Sequence, residues 1–130
     1  MNTKIIISLF LIFSASVALS ASLNSYPFSL TQDKTATWTD GDGNVFSTFD
    51  CHLINLSEQT VTLTEVIANR APVAVWGALS YSESKKFGLQ SWAQQIQPNQ
   101  TINFGYLVEC ANPISWSYCV PNAEAPASKK

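Results

Sequence analysis

Histidine occurs once in this chain of 130 residues, as His52, and no Cys or His stands at ligand spacing from it. That scarcity excludes a metal centre built on imidazole and thiolate, and no cofactor motif takes its place. Charge is also scarce, at 12% of residues, and the seven basic residues are scattered rather than clustered. A nucleic-acid footprint needs a basic patch, so that partner class is excluded. The acids are equally dispersed. A glycosidase requires two opposed carboxylates, and Asp50 and Glu65 are the only strand-borne candidates for such a pair. Ser80, Ser82 and Ser84 lack a nucleophile elbow. Asp40, Asp42 and Asn44 begin like a calcium loop, but Val45 stands where that loop needs Gly and Cys51 where it needs Glu. The chain reads as a binder, not an enzyme.

Long apolar runs are missing beyond the N-terminus. Lys4, the run Ile5 to Phe13 broken only by Ser8, and the small residues from Ala15 to Ala21 have the build of a secretory signal over residues 1–21. The apolar stretch is shorter than the roughly 20 residues of a membrane span. The mature product is therefore expected to be secreted and extracellular, without a membrane partner. It comprises one domain over 22–121 and a frayed tail over 122–130. Losing Lys4 takes the seven basic residues to six against nine acidic ones, a net charge of about −3. An oxidising compartment favours one disulfide among Cys51, Cys110 and Cys119. Spacing alone leaves the pairing open. The turn Ala111-Asn112-Pro113 favours Cys110 with Cys119, leaving Cys51 as a small buried hydrophobe. Asn55 and Asn99 head two glycosylation sequons, which would have to lie on the surface.

What the chain does have is indole. Four tryptophans occur, and Trp38, Trp76 and Trp92 fall in turn-bounded or loop-like stretches. An indole is a flat apolar plate with one donor, and a pyranose offers an apolar C–H face rimmed by hydroxyls. Successive glucoses in cellulose repeat at about 5 Å, close to the strand spacing of a sheet, so a flat sheet face can match them. Taking base–aromatic stacking of about 1–3 kcal/mol as an analogue, two or three plates suffice for micromolar-scale binding. The competing reading for each ring is core packing. The polar neighbours Gln90, Ser91, Gln94 and Gln95 favour exposure most at Trp92. Tyr106 alternates with Ile102 and Phe104 and reads as core.

No stretch keeps a 3.6-residue period with caps. Short alternating runs recur instead: Tyr26 to Trp38, Val45 to Asn55, Thr60 to Ala68, Val73 to Leu79, Ile102 to Val108 and Ile114 to Val120. Asp40 to Asn44 is a hairpin turn. Glu83 to Gln97 shows no alternation and reads as a long loop. The expected fold is all-β, an antiparallel β-sandwich of immunoglobulin-like or jelly-roll-like type with about seven to eight strands.

From Thr37-Trp38 onward the landmarks fall in a familiar order: a glycine turn, Val45 to Phe49 in a strand ending at Asn55, then Trp76-Gly77-Ala78-Leu79. Ser91-Trp92, Ile96-Gln97-Pro98 and Phe104-Gly105-Tyr106-Leu107 follow. This series, from about Ser29 to Tyr118, resembles the family-49 carbohydrate-binding modules (CBM49), the cellulose-binding type of plants and slime moulds. The resemblance implies a β-sandwich that binds cellulose through aromatic side chains. One departure is Gln90, where that family usually places Pro before the Trp pair. The resemblance implies a free-standing, non-catalytic protein of a matrix, sheath or cell wall, with cellulose or a related β-glucan as ligand and matrix proteins as further partners. A protein-interaction or adhesion sandwich is the alternative, with the same tryptophans as interface anchors.

Overall fold

A computed structural model describes residues 19–120. The expected signal before residue 19 and the tail after residue 120 lie outside the described residues. Residues 21–118 form one compact unit, and the sandwich belongs to it.

Eleven strands carry the fold: β1 (Leu19–Ser22), β2 (Phe28–Thr39), β3 (Val45–Asn55), β4 (Val61–Thr62), β5 (Glu65–Ala68), β6 (Ala74–Gly77), β7 (Leu79–Tyr81), β8 (Lys86–Leu89), β9 (Gln95–Ile96), β10 (Thr101–Val108) and β11 (Trp116–Val120). They make a four-stranded sheet in the order β2-β3-β10-β6, a five-stranded sheet in the order β1-β11-β5-β8-β7, and the short pair β4-β9. The recorded pairings are antiparallel. The all-β sandwich is thus as the alternation required, with more and shorter strands than the seven or eight expected.

Three differences have local causes. The run Val73 to Leu79 is divided by Gly77, whose φ of +82° ends β6, and the chain re-enters the other sheet as β7. A Cβ there would meet the Asn103 carbonyl oxygen at 2.8 Å, so the crossing needs glycine on both counts. The run Thr60 to Ala68 is likewise two strands in two sheets, with Leu63, Val66 and Ala68 buried. Glu83 to Gln97 is not a loop throughout. It holds β8, a single 3₁₀ turn at Ser91–Ala93 and β9, with Phe87, Leu89 and Ile96 buried.

Between the sheets, Phe49, Cys51 and Leu53 of β3 and Ile102, Phe104 and Tyr106 of β10 face Val66, Leu79, Phe87 and Trp116. Trp116 is the hub of this core: Phe104, Tyr106 and Phe87 meet it edge-on with ring centroids at 5.3, 5.5 and 5.9 Å. That geometry is the one preferred by ring quadrupoles. Tyr106 is fully buried, as its alternation indicated. Its hydroxyl donates to Gln32 Oε1 at 2.7 Å and accepts the Ile114 N–H at 2.8 Å, so the one polar atom of the ring is satisfied. Burial pushes the phenol up to about 12.

Asn55 is the other buried polar anchor, where the sequon reading requires a surface position. The residue is fully buried. Its amide donates to the carbonyls of Gln59 and Ile96, both at 2.8 Å, and its Oδ1 accepts the Ser57 N–H and hydroxyl. Both N–H groups of the amide are thus engaged within the fold. Asn99 is exposed, at a φ of +63° that asparagine tolerates better than most residues.

The candidate glycan-binding face

The outer face of the four-stranded sheet is set by the parity of β3. Ser47, Phe49, Cys51, Leu53 and Asn55 are buried, so Phe46, Thr48, Asp50, His52 and Ile54 look away from the core. Cross-strand register brings Thr101, Asn103, Gly105 and Leu107 of β10 to the same side.

Trp38 reaches this face because of one extra residue. Up to Lys34, the even positions of β2 oppose inward residues of β3: Leu30 faces Leu53 and Gln32 faces Cys51. Unbroken parity would drive Trp38 into the core. The register shifts between Lys34 and Ala36, so that Ala36 faces Thr48 and Trp38 faces Phe46. The bulged Thr35 is tied down by its hydroxyl, 2.7 Å from that of Thr48. Trp38 is 44% exposed and lies nearly parallel to Phe46, with centroids 6.0 Å apart and planes inclined at 20°.

Trp76 arrives from the sheet edge. It is in register with Gly105, while its neighbour Val75 pairs with Tyr106 and packs inward. The indole lies directly across Gly105: a Cβ at that glycine would sit 2.2 Å from Trp76 Nε1 and 2.6 Å from Cε2. The plate is therefore laid against backbone, with 45% of the residue exposed. Four residues of β3 separate the Trp38 rung from the Trp76 rung, about 13 Å along the strands. Adding the three strand spacings from β2 through β3 and β10 to β6, the two tryptophan positions are roughly 20 Å apart.

Trp92 is the most open of the three, at 63%. Its 3₁₀ turn is anchored by buried Ala93, whose N–H donates to the Gln90 carbonyl at 2.8 Å, and by Gln94 Nε2 donating to the Leu89 carbonyl at 2.9 Å. Gln90 donates its N–H to the Ala78 carbonyl, and Ala78 donates to that of Asn103. The turn is thereby fastened to the β6 edge of the aromatic face, two residues beyond Trp76. Gln90 has a φ of −56°, within the range that a proline ring imposes. The departure at this position thus keeps the backbone angle and adds a hydrogen bond that proline lacks.

A polar group that the residue pattern left without a role lies level with Trp76 and just beyond it along the strands. Asp33 and Asp50 are direct cross-strand partners, in the same rung as Gly105 and Trp76. His52 stands one rung on, with Nε2 at 3.7 Å from Asp33 and 3.6 Å from Asp50, and Nδ1 at 2.7 Å from Asn103 Oδ1. Only the pairing register reveals this cluster, since its members come from three strands.

Other candidates fall elsewhere. Glu65 is on β5 of the five-stranded sheet, so it and Asp50 form no catalytic pair. Asp40 closes its own turn, accepting the N–H groups of Asn44 and Asp42, both at 2.9 Å. These bonds, that from Asn44 first, hold its carboxyl below the usual range. Among the described residues, no group of three or more His, Cys, Asp or Glu could hold a metal ion. Cys51 is buried, Cys110 half-buried and Cys119 exposed, each as a free thiol. Cys110 Sγ accepts the Asn112 N–H at 3.4 Å. Burial pushes the Cys51 thiol up to about 12, with the charges of Asp50 and Asp33 adding to it.

The family profile of the carbohydrate binding domain CBM49 matches residues 28–109, more than half of the chain. The chain belongs to the CBM49 family. It is thus a carbohydrate-binding module by family, and the match begins at the first residue of β2 and ends just after β10. No curated protein and no solved structure matches the chain.

Proposed function

We propose that this CBM49 module is a secreted protein that binds cellulose or a related β-glucan without catalysis, by stacking sugars on Trp38, Trp76 and Trp92. The observation that carries the reading is the half-exposed Trp76 indole seated over Gly105, on the same sheet face as Trp38. An exposed aromatic plate on a glycine seat has no packing partner above it, and it offers its open side to an apolar ring face. The separation of roughly 20 Å between Trp38 and Trp76 matches about four sugars of a polymer with a repeat near the strand spacing. Family membership supports a carbohydrate ligand. The N-terminal sequence, the exposed Asn99 sequon and the low charge support an extracellular location in a matrix, sheath or cell wall.

The test is a depletion isotherm on microcrystalline cellulose. Changing Trp38, Trp76 and Trp92 together to Ala, with the circular dichroism spectrum kept, is expected to abolish retention. A folded triple variant that still pellets with the polymer refutes the stacking assignment. Competition by soluble cello-oligosaccharides separates glycan binding from a protein interface, which would ignore them.

A further inference from the structure

We infer that Asp33 and Asp50, braced by His52 and Asn103, form a charge filter beside the Trp76 plate that restricts this face to uncharged glycans and rejects carboxylated ones. The inference rests on the stacking reading and names its substrate class. Three observations carry it.

The two carboxylates lie in the same rung as the plate: Asp33 pairs with Asp50, Asp50 with Gly105, and Gly105 with Trp76, whose indole covers the glycine. A sugar resting on that indole therefore lies about one strand spacing from Asp50. Both carboxylates are open to a ligand, with side chains 63% and 52% exposed. Like charges placed directly opposite across two strands are unfavourable, so this pairing has no rationale in sheet stability. Apart from His52, no basic side chain of these four strands offsets them on that face, and one imidazole cannot cancel two carboxylates. Lys34, the one Lys or Arg in β2, β3, β6 and β10, belongs to the inward register, with Nζ 6.0 Å from the Phe49 ring centroid. His52, whose Nδ1 is tied to Asn103, is the group that holds the pair in place.

A carboxylate accepts hydrogen bonds and never donates them, so Asp33 and Asp50 can each take a sugar hydroxyl proton. A uronate or carboxymethyl group brought to the same place meets two negative charges across a short, weakly screened distance. The same groups thus hydrogen-bond a neutral glucan and repel an acidic one.

The experiment compares two soluble polymers with one backbone, hydroxyethylcellulose and carboxymethylcellulose, by affinity electrophoresis at low salt. Wild-type protein is expected to bind the carboxymethyl polymer at least about fivefold more weakly, the effect of one unscreened charge contact in water. The gap should narrow at 0.5 M NaCl. In the Asp33→Asn/Asp50→Asn variant the ratio of the two affinities should move toward one, whichever way each affinity moves. Equal wild-type binding of both polymers at low salt overturns the filter and leaves the stacking reading intact, as does a ratio unchanged in the variant. Failure of the wild type to bind either polymer overturns both.

Discussion

Replacing Gly105 with Ala tests whether the seating of Trp76 is what makes it a platform. The new methyl would lie 2.2 Å from Nε1 and 2.6 Å from Cε2 of the indole, and 3.0 Å from the Phe49 carbonyl oxygen. Favourable carbon contacts need about 3.5–4.0 Å, so the ring must move by more than 1 Å. The β10 backbone is held on both sides by β3 and β6 and cannot retreat. The ring is at the surface and can swing outward. Trp76 is 45% exposed, so it buries about 100 Å² of its surface, and full release would cost about 2.5 kcal/mol. A tilt costs less. The expected destabilisation is about 1–2 kcal/mol, a fall in Tm of about 5–15 °C, which leaves the sandwich folded.

Binding should suffer more than folding. A plate tilted out of line loses its share of stacking, about 1–3 kcal/mol on the nucleobase analogue, so cellulose affinity should fall by about tenfold or more. The depletion isotherm reads that loss, and acrylamide quenching of tryptophan fluorescence reports the lifted indole without any ligand. A double-mutant cycle sharpens the test. In a Trp76→Ala background Gly105→Ala should have almost no further effect on binding, because its only route to the ligand is the ring. Unchanged binding and quenching in the single variant, or additive losses in the double variant, would refute the reasoning.

Asn55→Ala removes two donated and two accepted hydrogen bonds from a fully buried site and should cost about 3–4 kcal/mol, read as a lower urea midpoint. Peptide mapping by mass spectrometry of protein from a glycosylating host should find the Asn55 peptide unmodified. Tyr106→Phe leaves the Ile114 N–H and Gln32 Oε1 without their partner and should cost about 1–3 kcal/mol in the same assay. Stability should also fall in alkali. Cys51 and Tyr106 hold their protons up to about 12 when folded, against 9.0 and 10.0 for free groups. The unfolded chain therefore binds fewer protons than the folded one above pH 9, and this stability is intact below pH 9 and lost as pH rises toward 12. Urea midpoints measured between pH 8 and 11 should decline in wild type and decline less in Cys51→Ala/Tyr106→Phe.

The parts of this fold that were legible in the sequence are those where one periodicity runs unbroken. β3 alternates over its 11 residues and β10 over its 8 except at Gly105, which Trp76 covers, and their inward sets, including Tyr106, follow from parity. Legibility fails where the chain changes sheet within one apolar run, as at Gly77, because both halves carry the same strand signal. It fails again at β8, four residues long with a glycine inside, too short for a period to register. The aromatic face divides along the same line. That indoles are abundant was plain from composition, but which side each occupies depends on single-residue events. Simple alternation from Phe28 and Leu30 puts Trp38 inside, and the extra residue at Thr35 moves it outside. The Asp33–Asp50–His52–Asn103 cluster depends on the register of three strands, which no local pattern encodes. A binding face built across strands thus resists reading from sequence, although its floor, a glycine opposite a tryptophan, is a pair that the strand pattern contains once register is known. That dependence makes the bulge the determinant of where Trp38 lies, because it moves an aromatic residue from the core side to the outer face without changing the composition.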